Sequence, residues 1–95
     1  MEQKLTVGRT VHFVLDFGHN KGQVRPAIVL AVWGETCANL AVLPDGSNDG
    51  VPTSTAPDGS NAVARISTFE PVWKTSVTYD ETGERPGSWH WPPRA

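Results

Sequence analysis

Ninety-five residues and 10.3 kDa leave room for one hydrophobic core, so a single small domain over 1–95 is expected. The chain is 38% apolar with nine Gly and eight Pro, a composition that turns often and holds little uninterrupted helix. Eight basic against ten acidic residues give a net charge of −2, which argues against charge-driven coating of long nucleic acid. The longest apolar run, Ala27 to Trp33, is far short of the ~20 residues of a membrane-spanning helix.

In chain order, Thr10–Leu15 alternates apolar and polar residues with period two and predicts a strand. Asp16–Gly22 is a loop, punctuated by two glycines and Asn20. Arg25–Gly34 carries the continuous apolar run between Pro26 and Gly34 and predicts a strand buried on both faces, with Trp33 in the core. Gly34–Ala38 makes a short hairpin connection to a third strand, Asn39–Leu43.

From Pro44 to Asn61 bulky residues nearly vanish, and a long Gly/Pro/Ser/Asn-rich loop is expected. Pro44-Asp45-Gly46-Ser47-Asn48 returns as Pro57-Asp58-Gly59-Ser60-Asn61, either as two similar turns or as a loop that carries a site. Ala62–Ile66 predicts a short strand, followed by a connection that buries Phe69. Trp73–Tyr79 alternates again, placing Trp73, Thr75, Val77 and Tyr79 on one face. A polar turn, Asp80–Arg85, leads to a last strand, Ser88–Trp91, closed by Pro92-Pro93. Five or six short strands in so short a chain predict an all-β, antiparallel, partly open barrel of SH3-like type, with an OB-like barrel as the alternative.

No reaction centre is legible. His12, His19 and His90 show no ligand spacing, Cys37 stands alone in the predicted hairpin turn, and no nucleophile elbow or P-loop is present. The chain therefore reads as a non-enzyme without cofactor or metal. One cysteine and an N-terminus lacking a signal-type apolar segment predict a reducing, cytoplasmic setting.

The unusual feature is tryptophan. Trp89 and Trp91 either plug one end of the barrel or form a platform for planar ligands, with His90 on the opposite face. Trp73, Thr75, Ser76 and Tyr79 add a ring and polar groups beside them, and Asp45, Ser47 and Asn48 offer more in the long loop. Arg25, which opens the central strand, Arg65 and Arg85 are candidate phosphate contacts. Four Trp with Phe13, Phe17 and Phe69 are many rings for so small a barrel to hide. A two-fold homodimer or higher homo-oligomer is expected, with the ligand at or near the interface.

The blocks Val7–Leu15, Arg25–Val29, Asp45-Gly46-Ser47-Asn48-Asp49-Gly50, Trp73–Glu81 and Pro86-Gly87-Ser88-Trp89-His90-Trp91-Pro92 together resemble a group of small phage- and prophage-encoded proteins. The Asp-Gly-Ser-Asn-Asp-Gly loop and the Gly-Ser-Trp-His-Trp-Pro ending are the specific parts of that resemblance, and Val51–Ser67 departs from it. The chain is also similar to the phage sponge proteins that sequester cyclic-nucleotide immune signals, the anti-CBASS group. That similarity implies a non-catalytic protein of the infected bacterial cytoplasm that binds a cyclic di- or trinucleotide and counters host defence. The alternative is an SH3-like interaction module that binds a phage or host protein through its Trp-rich end. Neither reading involves a membrane.

Overall fold

The computed structural model describes residues 4–49, 51–55, 61–64 and 71–93. The strands are β1 (Thr10–Val14), β2 (Val24–Val32), β3 (Cys37–Val42), β4 (Val51–Thr55), β5 (Asn61–Ala64), β6 (Val72–Thr78) and β7 (Trp89–His90), with one helical turn, α1 (Gly46–Asp49). Five strands form one antiparallel sheet in the order β6-β3-β2-β1-β7, and β4 pairs with β5 as a separate hairpin. The sheet is a meander of four strands whose fifth returns beside the first, the strand order of an SH3-like barrel. It curls into a half-barrel, and a bridge between Tyr79 and Trp89 ties the end of β6 to β7 across the open side.

Alternation builds the core. Val11 and Phe13 point inward from β1, Ala27 and Val29 from β2, Ala38, Leu40 and Val42 from β3, Val72 and Val77 from β6, and Trp89 from β7. Leu5, Leu15 and Phe17 cap this cluster from the flanking segments. Burying such side chains stabilises by about 1.5–3 kcal/mol each before conformational entropy is counted.

Four expectations are corrected. β2 is not buried on both faces: Ala27 and Val29 are buried, whereas Ile28 and Leu30 are exposed. A continuous apolar run implies two covered faces only when layers pack on both sides, and here no described element covers the outer one. Trp33 is not core. It lies one residue beyond β2, in the hairpin connection, and is 65% exposed.

The stretch 44–61 is not wholly loop, because it contains α1 and β4 and ends at the first residue of β5. Val51, Thr53 and Thr55 are strand formers, and β4 pairs antiparallel with β5 from Val51 opposite Ala64 to Thr55 opposite Asn61. The second Pro-Asp-Gly-Ser-Asn lies outside the described residues up to Ser60, as do Phe69 and Arg65. Finally, Trp73 and Val77 do not share a face. The β3–β6 register shifts between Ala38 and Leu40, and Ser76 there takes a left-handed φ of 53°. One extra residue in β6 reverses the alternation, so Trp73 points out and Val77 points in.

Candidate functional site

The bulge in β6 organises the outer face. Asn39 sits opposite it, and its Oδ1 accepts three hydrogen bonds: from Ser76 N–H at 2.9 Å, from Trp33 Nε1–H at 2.8 Å and from Thr75 Oγ1 at 3.1 Å. The first holds Ser76 in a conformation that costs a non-glycine residue about 1–2 kcal/mol. The second fixes the Trp33 indole on the surface. Thr75 and Ser76, both predicted site residues, are brought beside a ring that the sequence reading had assigned to the core.

Two further features complete this face. Trp73, 64% exposed, pairs with Ala41, which pairs with Ile28, giving an apolar row across three strands. At the other end Cys37 pairs with Thr78, and Trp33 N–H bonds the Cys37 carbonyl at 2.9 Å. The Thr78 hydroxyl accepts a bond from Arg85 Nη2 at 2.9 Å. The Arg85 guanidinium thus stands near the Trp33 end of the face, exposed and held by a neutral partner.

At the Trp-rich end the structure decides between plug and platform for Trp89. Trp89 is 1% exposed, donates Nε1–H to the Thr36 carbonyl at 3.0 Å, and meets Tyr79 and Trp91 at ring-centroid distances of 5.0 and 5.2 Å. It is the plug of the barrel, and no ligand can stack on it while the domain is folded. Trp91 lies beyond the two-residue β7, half-buried edge-on against Trp89, with the Arg9 guanidinium 5.0 Å from its ring centroid. Tyr79 keeps part of its ring on the surface.

His90 is paired across strands with His12, ring centroids 5.6 Å apart and nearly perpendicular. Burial, and then the charge of His12, push the His90 pKa below its ordinary value, against a smaller upward pull from Asp80. Its Nδ1 is buried with no hydrogen-bond partner among the described residues. This environment favours a neutral imidazole.

The loop residues form a clamp. Asp49 is buried and receives Arg25 Nε at 2.7 Å and Nη2 at 2.8 Å, Asn20 Nδ2 at 2.8 Å, and the Asp45 backbone N–H. Burial alone would raise the Asp49 pKa, but these bonds and the Arg25 charge outweigh it and hold the pKa at about 2. The guanidinium of Arg25 is held on Asp49 by a bidentate pair, which occupies the fork that a phosphate contact would use. Asp45 caps α1, taking the Asn48 side-chain amide at 2.9 Å. The Ser47 side chain is not among those described. Gly18, with φ of +70°, lies so close that a Cβ there would strike the Asp49 carbonyl, so the Asp16–Gly22 loop and α1 are locked together.

Thr75, Ser76 and Trp73 of the predicted set therefore meet on the outer face. Trp89, Trp91, His90 and Tyr79 gather at the closed end, and Arg25, Asp45 and Asn48 belong to the loop clamp. Trp33 and Asn39 were missed, whereas Arg85 was among the candidate phosphate contacts. The signal for Asn39 was a polar residue alternating with buried Ala38 and Leu40, and for Trp33 its place beside Gly34 at a turn. Among the described residues no three His, Cys, Asp or Glu side chains gather as a metal site, and no helix is long and apolar enough to cross a membrane. The outer face can stack, donate and accept hydrogen bonds, and place one positive charge. Comparison of the chain with protein-family models, with curated proteins and with solved structures gives no match.

Proposed function

We propose that this protein is a non-catalytic binding module that captures a cyclic di- or trinucleotide on the Trp33 end of its outer face, a sponge for an immune signal in the phage-infected bacterium. The observation that carries the reading is the exposed Trp33 indole, pinned by Asn39 between the hydroxyls of Thr75 and Ser76 and the Arg85–Thr78 pair. A base stacks on a fixed indole, hydroxyls read its edge, and a guanidinium meets a phosphate.

A thermal-shift and calorimetric panel of cyclic di- and trinucleotides tests this. One ligand is expected to stabilise the protein by about 2.7 kcal/mol at 100 times its dissociation constant. Trp33→Ala should weaken binding by roughly 5- to 150-fold, the range of about 1–3 kcal/mol for base–aromatic stacking. No shift with any member, together with no nucleotide released on denaturing protein purified from infected cells, would refute the reading.

A second reading is favoured by one observation: the row Ile28–Ala41–Trp73 is apolar and carries no charge, the chemistry of a protein contact. In that case the module binds a phage or host protein. Binding that survives Arg85→Ala and high salt but not Trp73→Ala identifies it.

A further inference from the structure

We infer that the apolar patch formed by Ile28, Leu30, Ala41 and Trp73 on the outer face seats a second copy of this chain, face to face, in a two-fold homodimer. This inference goes beyond nucleotide capture and stands whether or not a nucleotide binds. Four observations carry it.

The first is area. Trp73 is 64% exposed, so its ring alone leaves about 150 Å² of mostly apolar surface in water. Leu30 at 46% and Ile28 at 38% extend it across β2. A stable interface needs about 800 Å² per partner, with an apolar centre and a polar rim. The patch supplies that centre, and Thr10, which pairs with Ile28, lies in the rim on the β1 side. Thr75 and Asn39 lie in the rim on the hairpin side.

The second is charge. A two-fold axis brings each residue near its own copy, so a charged patch would repel itself. The outward positions in the rows Thr10–Ile28–Ala41–Trp73 and Ala31–Asn39–Thr75 hold no charged residue. In a chain with eighteen charged residues of ninety-five these two rows are self-compatible, and the Arg85 charge stands beyond them at the Trp33 end of the face.

The third is the bulge in β2. The β2–β3 register shifts between Val29 and Ala31, so Leu30 adds an outward side chain to the row that Ile28 begins. An extra exposed leucine in a central strand widens the patch without adding to the core.

The fourth is the edge of the sheet. On the edge strand β6, Lys74 turns inward to Asp16 at 2.9 Å, and Ser76 bends the backbone out of register. Inward charge and bulges are the devices that block edge-to-edge pairing. The β6 edge beside the patch is therefore closed to self-pairing.

Multi-angle light scattering and sedimentation equilibrium on the full chain, without nucleotide, test the inference. The expected mass is twice 10.3 kDa. Leu30→Asp and Trp73→Ser are each expected to weaken the dimer at least 30-fold while keeping the wild-type circular dichroism spectrum, since both side chains are exposed. Lys21→Glu, at an exposed residue of the Asp16–Gly22 loop, should leave the dimer unchanged. If Leu30→Asp loses its fold, Trp73→Ser alone decides.

A wild-type mass of 10.3 kDa at all concentrations overturns the inference. A monomer whose Trp73 resists a soluble fluorescence quencher shows instead that other residues of the same chain cover the patch. A polydisperse population shows a non-specific sticky surface, and a dimer that survives both variants lies on another face. Nucleotide capture is read in the separate panel, so either conclusion can fail without the other.

Discussion

Replacing Asn39 with alanine should both destabilise the domain and release Trp33. The Asn39 carbonyl is the common acceptor for Ser76 N–H, Trp33 Nε1–H and Thr75 Oγ1–H. A net hydrogen bond contributes about 0.5–1.5 kcal/mol, and water compensates the two side-chain donors at this exposed position. The Ser76 N–H bond matters more, because it also holds a φ of 53°. The sum is about 2 kcal/mol, or roughly 10 °C in Tm for a domain of this size. Urea denaturation gives the stability, and hydrogen exchange of the four indole N–H groups by NMR gives the local effect. Only the Trp33 indole should exchange much faster in Asn39→Ala, while Trp89, bonded to the Thr36 carbonyl, stays protected. Asn39→Asp keeps the acceptor and should preserve Trp33 protection. Ser76→Gly removes the left-handed cost of about 1–2 kcal/mol against an entropic loss of about 0.5–1, and should be neutral or slightly stabilising. A loss below about 0.3 kcal/mol in Asn39→Ala with unchanged Trp33 exchange would refute this account of the bulge.

Trp89→Ala should cost about 3–5 kcal/mol in denaturant unfolding, whereas Trp91→Ala should cost about 1, the worth of its edge-to-face and Arg9 contacts; equal losses would contradict their different burial. Gly18→Ala should cost at least about 2 kcal/mol, because positive φ and the Asp49 carbonyl both oppose a Cβ, while Gly22→Ala, with φ of +97° and open space, should cost only the φ strain of about 1–2. The Asp49 pKa is depressed in the fold, so its contribution is complete above its ordinary value of 3.8 and disappears as pH falls toward 2; it amounts to about 2 kcal/mol, and Asp49→Asn should flatten the acid limb of the stability profile. The His90 pKa is depressed too, so stability should also decline as pH falls below about 6.5, and His12→Ala should soften that decline by removing the facing charge.

Much of the fold was legible in the chain. The alternation of Val11 and Phe13 with His12, a turn at Gly34 (though Cys37 and Ala38 already belong to β3) and the paucity of helix all follow from local sterics and from the need to wet one side of a strand while burying the other. Those constraints act within a few residues, so they predicted β1, β3, β6 and the half-barrel class, with strand ends displaced by one or two positions. What local pattern could not decide was the number of layers. The run Ala27 to Trp33 is compatible with two covered faces or one, and only the arrangement of the five-stranded sheet shows that Ile28 and Leu30 face outward. Trp73 shows the same limit. Its face depends on where β6 gains a residue against β3, which is set by the Asn39 carbonyl thirty-seven positions before Ser76. The roles of Trp89 and Arg25 were also tertiary decisions, made by the closing of β7 on β1 and by Asp49 arriving from α1. Side-chain chemistry is written residue by residue, but a platform, a plug and an ion pair are defined by which distant residue stands opposite, and that is fixed only when the sheet closes.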